Sequence, residues 1–330
     1  MAETSNVSAI ASRISDDIFR YFYWTTHPKK DDNFICSNPE HKSSDDSPKA
    51  THPGDVMFFY QDPYLQKTIY LHTDLKSYAD KSITTRMLKS ALHSLCMAVE
   101  CANQSKDWRN KYSVDASDPH EVRGLLFVHN WTKGYDKPFY EAIARVDLHN
   151  LPVAPGTILH YLGPHDIQRL YSIGNDIVRL VHSDRLPKNY TFYYPDLMLF
   201  RRHGEIWEQP ATIEALTGPY LILKHGAAEK VGQGYVIYFN RPAATPEALL
   251  YLLDILSRYQ MLESNELIRI RLTNVDVPDD MRSAFLIAKQ RYARDWGFDP
   301  VRERLLSAIE IDTITSVTDT YNPGATGWRE

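Results

Sequence analysis

A β-hairpin pattern at residues 52–79 is the feature that most restricts how this chain can fold. Two runs of alternating apolar and polar residues lie on either side of the turn sequence QDPY, at Gln61–Tyr64. Asp and Pro favour turns, and alternate side chains of a strand point to the same face of a sheet. Asp74 and Lys76 are therefore predicted to share one face, and the turn brings Asp55 alongside them.

These three charged residues have the chemistry of a divalent-metal site. Side chains two residues apart on a strand are about 7 Å apart, close enough for both to act on one phosphate group. Two carboxylates with main-chain and water oxygens suit Mg²⁺, which can activate water and stabilise a leaving oxygen. A lysine beside them can orient the water or balance charge on the phosphorane. The alternative is a solvated strand face, where an ion pair stabilises the fold by about 0–1 kcal/mol.

The setting of the triplet Asp74–Leu75–Lys76 distinguishes it from a chance match. A second acid–any–Lys triplet, Glu40–His41–Lys42, falls in a polar stretch where nothing would hold it rigid. The first triplet instead lies in an apolar strand that follows another strand-borne acid. A long amphipathic helix, predicted over 83–104, comes directly after it.

Hydrophobic periodicity predicts a mixed α/β architecture for the first half of the chain. Apolar residues recur at helical spacing over 7–24 and 165–183, as they do over 83–104. Apolar runs at 123–131 and 156–162 are typical of strands, with a short helix between them. The order helix, hairpin, helix, strand, helix, strand, helix indicates a mixed sheet with helices on both sides.

The second half is expected to form a separate α+β unit, for which a split-βαβ sandwich is one arrangement. A chain of 330 residues is too long for one ordinary core. The sequence DRLPKNY at 184–190 marks the break, so we predict domains at 1–186 and 187–330. The predicted elements of the second domain are strands at 195–201, 219–225, 235–241, 267–273 and 308–318 and helices at 247–260 and 279–296.

Composition narrows the functional classes. The chain is 43% hydrophobic and 12% aromatic, as globular proteins are, and its net charge of −5 argues against a strongly basic, nucleic-acid-coating protein. A local basic groove stays compatible with this charge. No apolar run approaches the length of a membrane span, and the N-terminus lacks the order of a signal peptide, so no membrane association is expected. Three cysteines form no paired framework, which favours the cytoplasm.

Three other groups of residues each have a functional and a structural interpretation. Cys36, His41 and His52, with or without His27, could bind zinc, but their spacing matches no standard finger and one cysteine makes a poor site. The segment 225–234 has the small residues of a phosphate loop without its Gly-Lys-Ser/Thr ending, so a connection between strands is expected. Six basic residues could follow a nucleic-acid backbone, although an ordinary helix surface is favoured: Arg269, Arg271, Arg282, Lys289, Arg291 and Arg294.

The hairpin and its neighbours resemble the PD-(D/E)xK nuclease superfamily, which has the restriction-endonuclease-like fold. The sequences HPGDVMFF and IYLHTDLKSYA, after one helix and before a helix and a buried strand, match the α-β-β-β-α-β core of that family over about residues 7–183. In this match Asp55 and Asp74 are the two motif acids and Lys76 is the motif lysine. Gly54 separates the motif proline from the first acid, and no family-like first strand is evident before residue 52.

The resemblance implies divalent-metal-dependent cleavage of nucleic acid, with DNA expected before RNA. It implies that Mg²⁺ or Mn²⁺ is held by Asp55, Asp74 and the main-chain carbonyl of Leu75, with Lys76 serving the attacking water. Many members add a glutamate from the first helix, where this chain offers Asp16 or Asp17. His72 shares the face of Asp74 and is either a supporting or a packed residue.

The layout also resembles nuclease subunits of bacterial anti-phage systems, which often work beside an ATPase or helicase. An ATPase or helicase is therefore an expected protein partner, and a homodimer is left open. The rival hypothesis from another class is a non-catalytic, nuclease-like scaffold that assembles with an ATPase through its C-terminal domain.

Overall fold

A computed structural model describes residues 13, 17–43, 46–130, 132, 135–147, 151–195, 208–262, 266–273, 277–295, 297 and 300–317. Two units divide the chain: Met1–Tyr171 with Thr318–Glu330, and Ser172–Val317. Half of the helix predicted over 7–24 lies outside the described residues, and its described end contains a 3₁₀ turn at Phe19–Phe22. No helix within the described ranges is long and apolar enough to cross a membrane.

A mixed sheet of five strands forms the centre of the first unit. The order across this sheet is β1-β4-β5-β6-β7, with antiparallel pairing from β1 to β5 and parallel pairing from β5 to β7. The remaining strands, β2 and β3, pair with each other as a separate ribbon. The seven strands are β1 (Thr25–Thr26), β2 (Phe34–Ile35), β3 (Thr51–His52), β4 (Val56–Asp62), β5 (Lys67–Tyr78), β6 (His120–Asn130) and β7 (Leu159–Leu162).

The hairpin formed by β4 and β5 follows the predicted alternation, with its turn slightly later in the chain. Gln61 and Asp62 still pair with the facing strand, so the turn consists of 63–66. The Asp62 carboxylate accepts hydrogen bonds from the main-chain N–H groups of Tyr64 at 2.8 Å and Leu65 at 2.9 Å. Such local bonds from Asp stabilise tight turns, and they fix the register that brings Val56 opposite Thr73.

Helices cover this sheet and connect its parallel strands. A parallel pair needs a crossover, and α1 (Thr85–Gln104) supplies it between β5 and β6. The Thr84 hydroxyl caps this helix by accepting from Met87 N at 3.2 Å. Leucines of α1 pack against β6 in one buried cluster. The other helices of this region are α2 (Lys106–Lys111), α3 (Phe139–Ala144) and α4 (Pro164–His182).

Strand β1 is the first strand of the core, which was not evident from the sequence. It has only two residues, which pair with Phe58 and Phe59 of β4. A strand this short has no measurable alternation, which explains why periodicity missed it. With β1 in place, the described strands and helices follow the order expected for a restriction-endonuclease-like core, and the mixed α/β prediction is confirmed.

In the second unit, a five-stranded sheet has the order β12-β11-β10-β9-β8. The parallel strands β10, β11 and β12 are direct neighbours, whereas a split-βαβ arrangement would place another strand between parallel partners. Helices α6 and α7 share one buried core with these strands. The elements are β8 (Tyr190–Phe192), α5 (Ile213–Thr217), β9 (Tyr220–His225), β10 (Gly234–Phe239), α6 (Pro246–Arg258), β11 (Leu267–Leu272), α7 (Met281–Asp295), α8 (Pro300–Ala308) and β12 (Glu310–Thr313).

The division between the two compact units falls inside α4, between Tyr171 and Ser172, and the domain boundary after residue 186 stays a prediction. A buried charge network joins the C-terminal half of α4 to strands of the second unit. Asp176 accepts two hydrogen bonds from Arg271, at 3.0 and 2.6 Å, and one from Tyr238 at 3.1 Å. A sequence pattern cannot show such a long-range pairing. The functional assignment of the two predicted domains stays a prediction.

Candidate active site

The structure brings together the three residues singled out in the hairpin. Asp55 directly precedes β4, and the register of β4 and β5 places it beside Leu75, whose main-chain N–H donates to Asp55 Oδ2 at 2.8 Å. Asp74 and Lys76 lie on β5, and Lys76 Nζ donates to Asp74 Oδ1 at 2.5 Å. Two acids and one lysine therefore form a single contact group at one end of the hairpin.

The electrostatics of this group are those of a buried carboxyl that lies close to a second carboxylate. Burial raises the pKa of Asp55 to about 6, and the negative charge of Asp74 and a hydrogen bond between the two side chains act in the same direction. The N–H of Leu75 and the charge of Lys76 oppose the rise without cancelling it. The pair therefore retains a proton at a pH where two isolated carboxyls would both be ionised.

Lys76 stays charged in this setting. Burial disfavours its ammonium form, but the negative charges of Asp74 and Asp55 outweigh burial, so the pKa of Lys76 is raised above its ordinary value. Its side chain is 29% exposed, which leaves the ammonium accessible to a ligand. A lysine that is protonated at neutral pH can donate hydrogen bonds and balance negative charge, but it cannot remove a proton from water.

A hard divalent cation fits this donor set. Burial and then the charge of Asp74 raise the pKa of Asp55, and a cation bound beside Asp55 would favour its ionised form. Oxygen donors suit Mg²⁺ and Mn²⁺, and Asp55, Asp74 and the Leu75 carbonyl are the groups that would hold one. When bound, such an ion lowers the pKa of a water molecule and offsets charge on a phosphate.

His72 positions the segment that carries the first acid. It is 1% exposed, and its Nε2–H donates to the main-chain oxygen of Pro53 at 2.9 Å. Burial lowers the pKa of His72, although the bond to Pro53 and the charge of Asp74 oppose this. A neutral, buried imidazole with this bond fixes the chain just before Asp55. His72 is therefore a packed residue that also supports the chain before Asp55, and whether it joins the metal site stays a prediction.

Gly54, directly before Asp55, lets Tyr112 and the main chain of Asp32 lie close to the backbone. A Cβ atom at this position would lie 2.6 Å from Tyr112 Oη and 2.9 Å from the main-chain oxygen of Asp32. Both distances are too short for a real contact, so any side chain here must displace its surroundings. The glycine that separates the motif proline from its acid is thus required by packing.

Gly54→Ala is expected to destabilise the first unit by about 1–3 kcal/mol, because over-packing forces the backbone to move. The same movement displaces Asp55, so metal-dependent activity should fall with it. Thermal unfolding and a cleavage assay measure the two effects. Gly232→Ala is the matched control, since its added Cβ meets only the Leu267 side chain, at the ordinary contact distances of 3.5 and 3.9 Å. Equal stability of the two variants would contradict the packing argument.

A third carboxylate from the first helix stays a prediction. Asp17 forms an ion pair with Arg13, and Asp16 lies outside the described residues.

The basic residues of the second unit are largely paired within the protein. Arg269 and Arg271 are 7% and 3% exposed, so neither offers a surface to nucleic acid. Lys289 donates to the Ile309 carbonyl at 2.7 Å, and Arg291 pairs with Glu247 at 2.6 Å. The ordinary structural interpretation therefore holds for these four. The segment 226–233 connects the antiparallel strands β9 and β10, as its sequence predicted.

One family model matches the chain, over residues 1–166; its description is "GAPS4 protein PD-(D/E)XK nuclease domain". The matched region is just over half of the 330 residues and contains the hairpin with Asp55, Asp74 and Lys76. No curated protein matches the chain.

Proposed function

The chain belongs to the family of GAPS4 PD-(D/E)XK nuclease domains, and from this membership we propose that it is a divalent-metal-dependent nuclease that hydrolyses phosphodiester bonds. The observation that carries the proposal is the contact group of Asp55, Asp74 and Lys76. Asp55 is a partly buried acid whose pKa is raised to about 6 by burial and by the neighbouring Asp74, and a charged lysine is bonded to Asp74. That combination of cation-binding and phosphate-binding groups is what phosphodiester hydrolysis requires.

Each residue has a separate task in this proposal. Asp55 and Asp74, with the Leu75 carbonyl, hold Mg²⁺ or Mn²⁺. Lys76 donates hydrogen bonds to a phosphate oxygen or to the attacking water, and its positive charge balances the charge that develops on the phosphorane. Leu75 N–H keeps Asp55 in place at 2.8 Å, and His72 holds the preceding main chain.

The substrate and setting belong to the same proposal. We favour DNA over RNA, a role in defence against phages and a cytoplasmic site of action. The support is the family match together with three cysteines that are all free. An ATPase or helicase would be the protein partner, and the second unit, whose basic side chains are mostly engaged internally, would contact that partner. A homodimer is compatible with the proposal.

Asp74→Asn is the test of the nuclease proposal. Cleavage of DNA and RNA panels in Mg²⁺ or Mn²⁺ should fall by about 10³-fold or more, because the amide keeps the shape of the side chain and removes the charge that binds the cation. Circular dichroism checks that the fold is retained. Asp254→Asn is the matched control, since Asp254 is an exposed acid of α6 paired with Arg258.

The rival hypothesis gives a different result. A non-catalytic scaffold would cut neither DNA nor RNA in either metal, even with a candidate ATPase partner supplied, and would still assemble with that partner. Such an outcome would replace the nuclease proposal while leaving the family membership intact.

A further inference from the structure

Four side chains with metal-binding atoms meet in the first unit, away from the acid pair in sequence. Cys36 follows β2, His41 lies in the loop after it, His52 ends β3, and Cys101 lies near the end of α1. One ligand atom from each residue lies within 4.8 Å of the other three. The two histidines and Cys101 are buried, and Cys36 is partly buried. His27, which the sequence placed with them, packs instead against the ring of Tyr112.

The distances among these atoms are those of a tetrahedral zinc site. The two sulfur atoms are 3.7 Å apart, and His41 Nδ1 lies 3.3 Å from His52 Nε2. The same Nδ1 lies 3.5 Å from Cys36 Sγ and 3.4 Å from Cys101 Sγ. A tetrahedron with Zn–S bonds of about 2.3 Å and Zn–N bonds of about 2.05 Å has edges of roughly 3.8, 3.5 and 3.3 Å for S–S, S–N and N–N. All four measured edges agree with these values.

We propose that Cys36, His41, His52 and Cys101 bind one Zn²⁺ as a structural Cys₂His₂ site. The donor atoms distinguish it from the acid pair, because thiolate and imidazole favour zinc whereas carboxylate and carbonyl oxygens favour Mg²⁺. The proposal does not depend on the nuclease activity.

Neither a disulfide nor hydrogen bonding alone accounts for the arrangement. The sulfur–sulfur distance of 3.7 Å is far longer than the roughly 2.05 Å of a disulfide bond. Three groups approach His41 Nδ1 within 3.5 Å, yet a ring nitrogen has only one lone pair or one hydrogen to share. A central cation gives each of the four atoms a partner of its own.

A carboxylate supports the other side of the His41 ring. Glu100 Oε2 lies 3.3 Å from His41 Nε2, and Asn38 Nδ2 donates to Glu100 Oε1 at 2.8 Å. Zinc-binding histidines commonly donate their second N–H to a carboxylate, which fixes the tautomer and the ring orientation. In the tautomer in which Nε2–H donates to Glu100, Nδ1 offers its lone pair toward the other three ligands.

The site has a defined structural task. Three ligands come from the ribbon of β2 and β3 and the loop between these strands, and the fourth comes from α1, so one ion would tie the ribbon to the helix. His52 is followed by Pro53, Gly54 and then Asp55. Zinc at one end of this short segment and the His72 bond to Pro53 would together hold the first acid in place.

Zinc content of the full-length protein, purified without chelators, tests the proposal. We expect about one Zn²⁺ per chain, with an X-ray absorption spectrum that fits two sulfur and two nitrogen ligands. The variant Cys36→Ser with Cys101→Ser should lose at least about nine-tenths of the zinc and unfold roughly 10 °C lower. Cys96→Ala is the control, since Cys96 is a buried thiol of the same helix outside the cluster. This variant protein should keep its zinc.

If the double variant does not fold, the X-ray absorption spectrum of the wild-type protein still tests the proposal. Stoichiometric Co²⁺ added to metal-depleted protein should then produce the visible bands of tetrahedral cobalt with thiolate ligands. Wild-type protein that contains no zinc and binds neither ion would overturn the proposal, as would a Cys36–Cys101 disulfide detected by mass spectrometry. Asp74→Asn should keep its zinc, so a loss of cleavage and a loss of this site are separate results.

Discussion

Lys76→Ala is expected to lower metal-dependent cleavage by about 10³-fold, which corresponds to about 4 kcal/mol of transition-state stabilisation. The raised pKa of Lys76 means that this loss reflects a missing positive charge and hydrogen-bond donor. The reduction should therefore be nearly independent of pH between about 6 and 9, where a lysine acting as a base would impose a titration. Single-turnover cleavage of the best substrate across that range measures both properties.

Lys67→Ala is the matched control for this result. Lys67 begins the same strand, is 43% exposed and lies 3.9 Å from Glu121, so its loss removes a lysine from β5 without touching the acid pair. Lys76→Arg should recover part of the activity, since it keeps the charge with a different donor geometry. Normal cleavage by Lys76→Ala would refute the site assignment and leave the family membership standing.

Asp55→Asn is expected to make the protein more stable above pH 6 while abolishing cleavage. The folded pKa of Asp55 is about 6 and its ordinary value is 3.8, so the folded state holds a proton that the unfolded state releases. The favourable contribution of this proton is complete below about pH 4 and is lost as the pH rises through about 6. Ionised Asp55 therefore costs up to about 3 kcal/mol at neutral pH, and the neutral amide avoids that cost.

Denaturant unfolding of wild type and Asp55→Asn from pH 4 to pH 8 measures this difference in the free energy of unfolding. The advantage of the variant should grow between pH 4 and 6 and then level off. The buffers should lack Mg²⁺ but contain no chelator, because a chelator would also remove the proposed zinc. A variant less stable than wild type at pH 8 would show that Asp55 does not carry the cost of an ionised, buried acid.

Mg²⁺ should reverse the order of the two proteins. An ion that binds only the folded state stabilises it by about 4.1 kcal/mol at a thousand times its dissociation constant, which exceeds the cost of about 3 kcal/mol. Wild type should gain this stabilisation, and Asp55→Asn should gain little. In the metal-free protein, the acid pair would thus lower the free energy of unfolding, and metal binding would raise it again.

The hairpin could be predicted because its determinants are local. Alternation places Asp74 and Lys76 on one face, and Asp and Pro mark the turn, so neighbouring residues supply the information. The contact between Asp55 and Asp74 followed from antiparallel pairing alone. The raised pKa of Asp55 could not be predicted, because it depends on burial by residues that are distant in sequence.

Features that depend on residues distant in sequence could not be predicted from the sequence. Strand β1 is defined only by its pairing with β4. Cys101, the second thiol of the proposed zinc site, is 65 positions from Cys36 in sequence, and only the fold brings the two together. Asp176 of α4 meets Arg271 of β11 across 95 positions of sequence. In each case the identity of the partner, and not the local pattern, decides the structure.

The closeness of Asp55 and Lys76 in sequence has a consequence for folding kinetics. Both acids and the lysine belong to one hairpin with a four-residue turn, 63–66, and hairpins of this kind close in about 1–10 μs. The parallel pairing of β5 with β6 needs the whole α1 crossover and carries a larger loop-closure entropy, which makes it slow to form. Asp55 and Asp74 therefore meet through low-contact-order interactions, and the slower, long-range pairing of β5 with β6 is expected to follow.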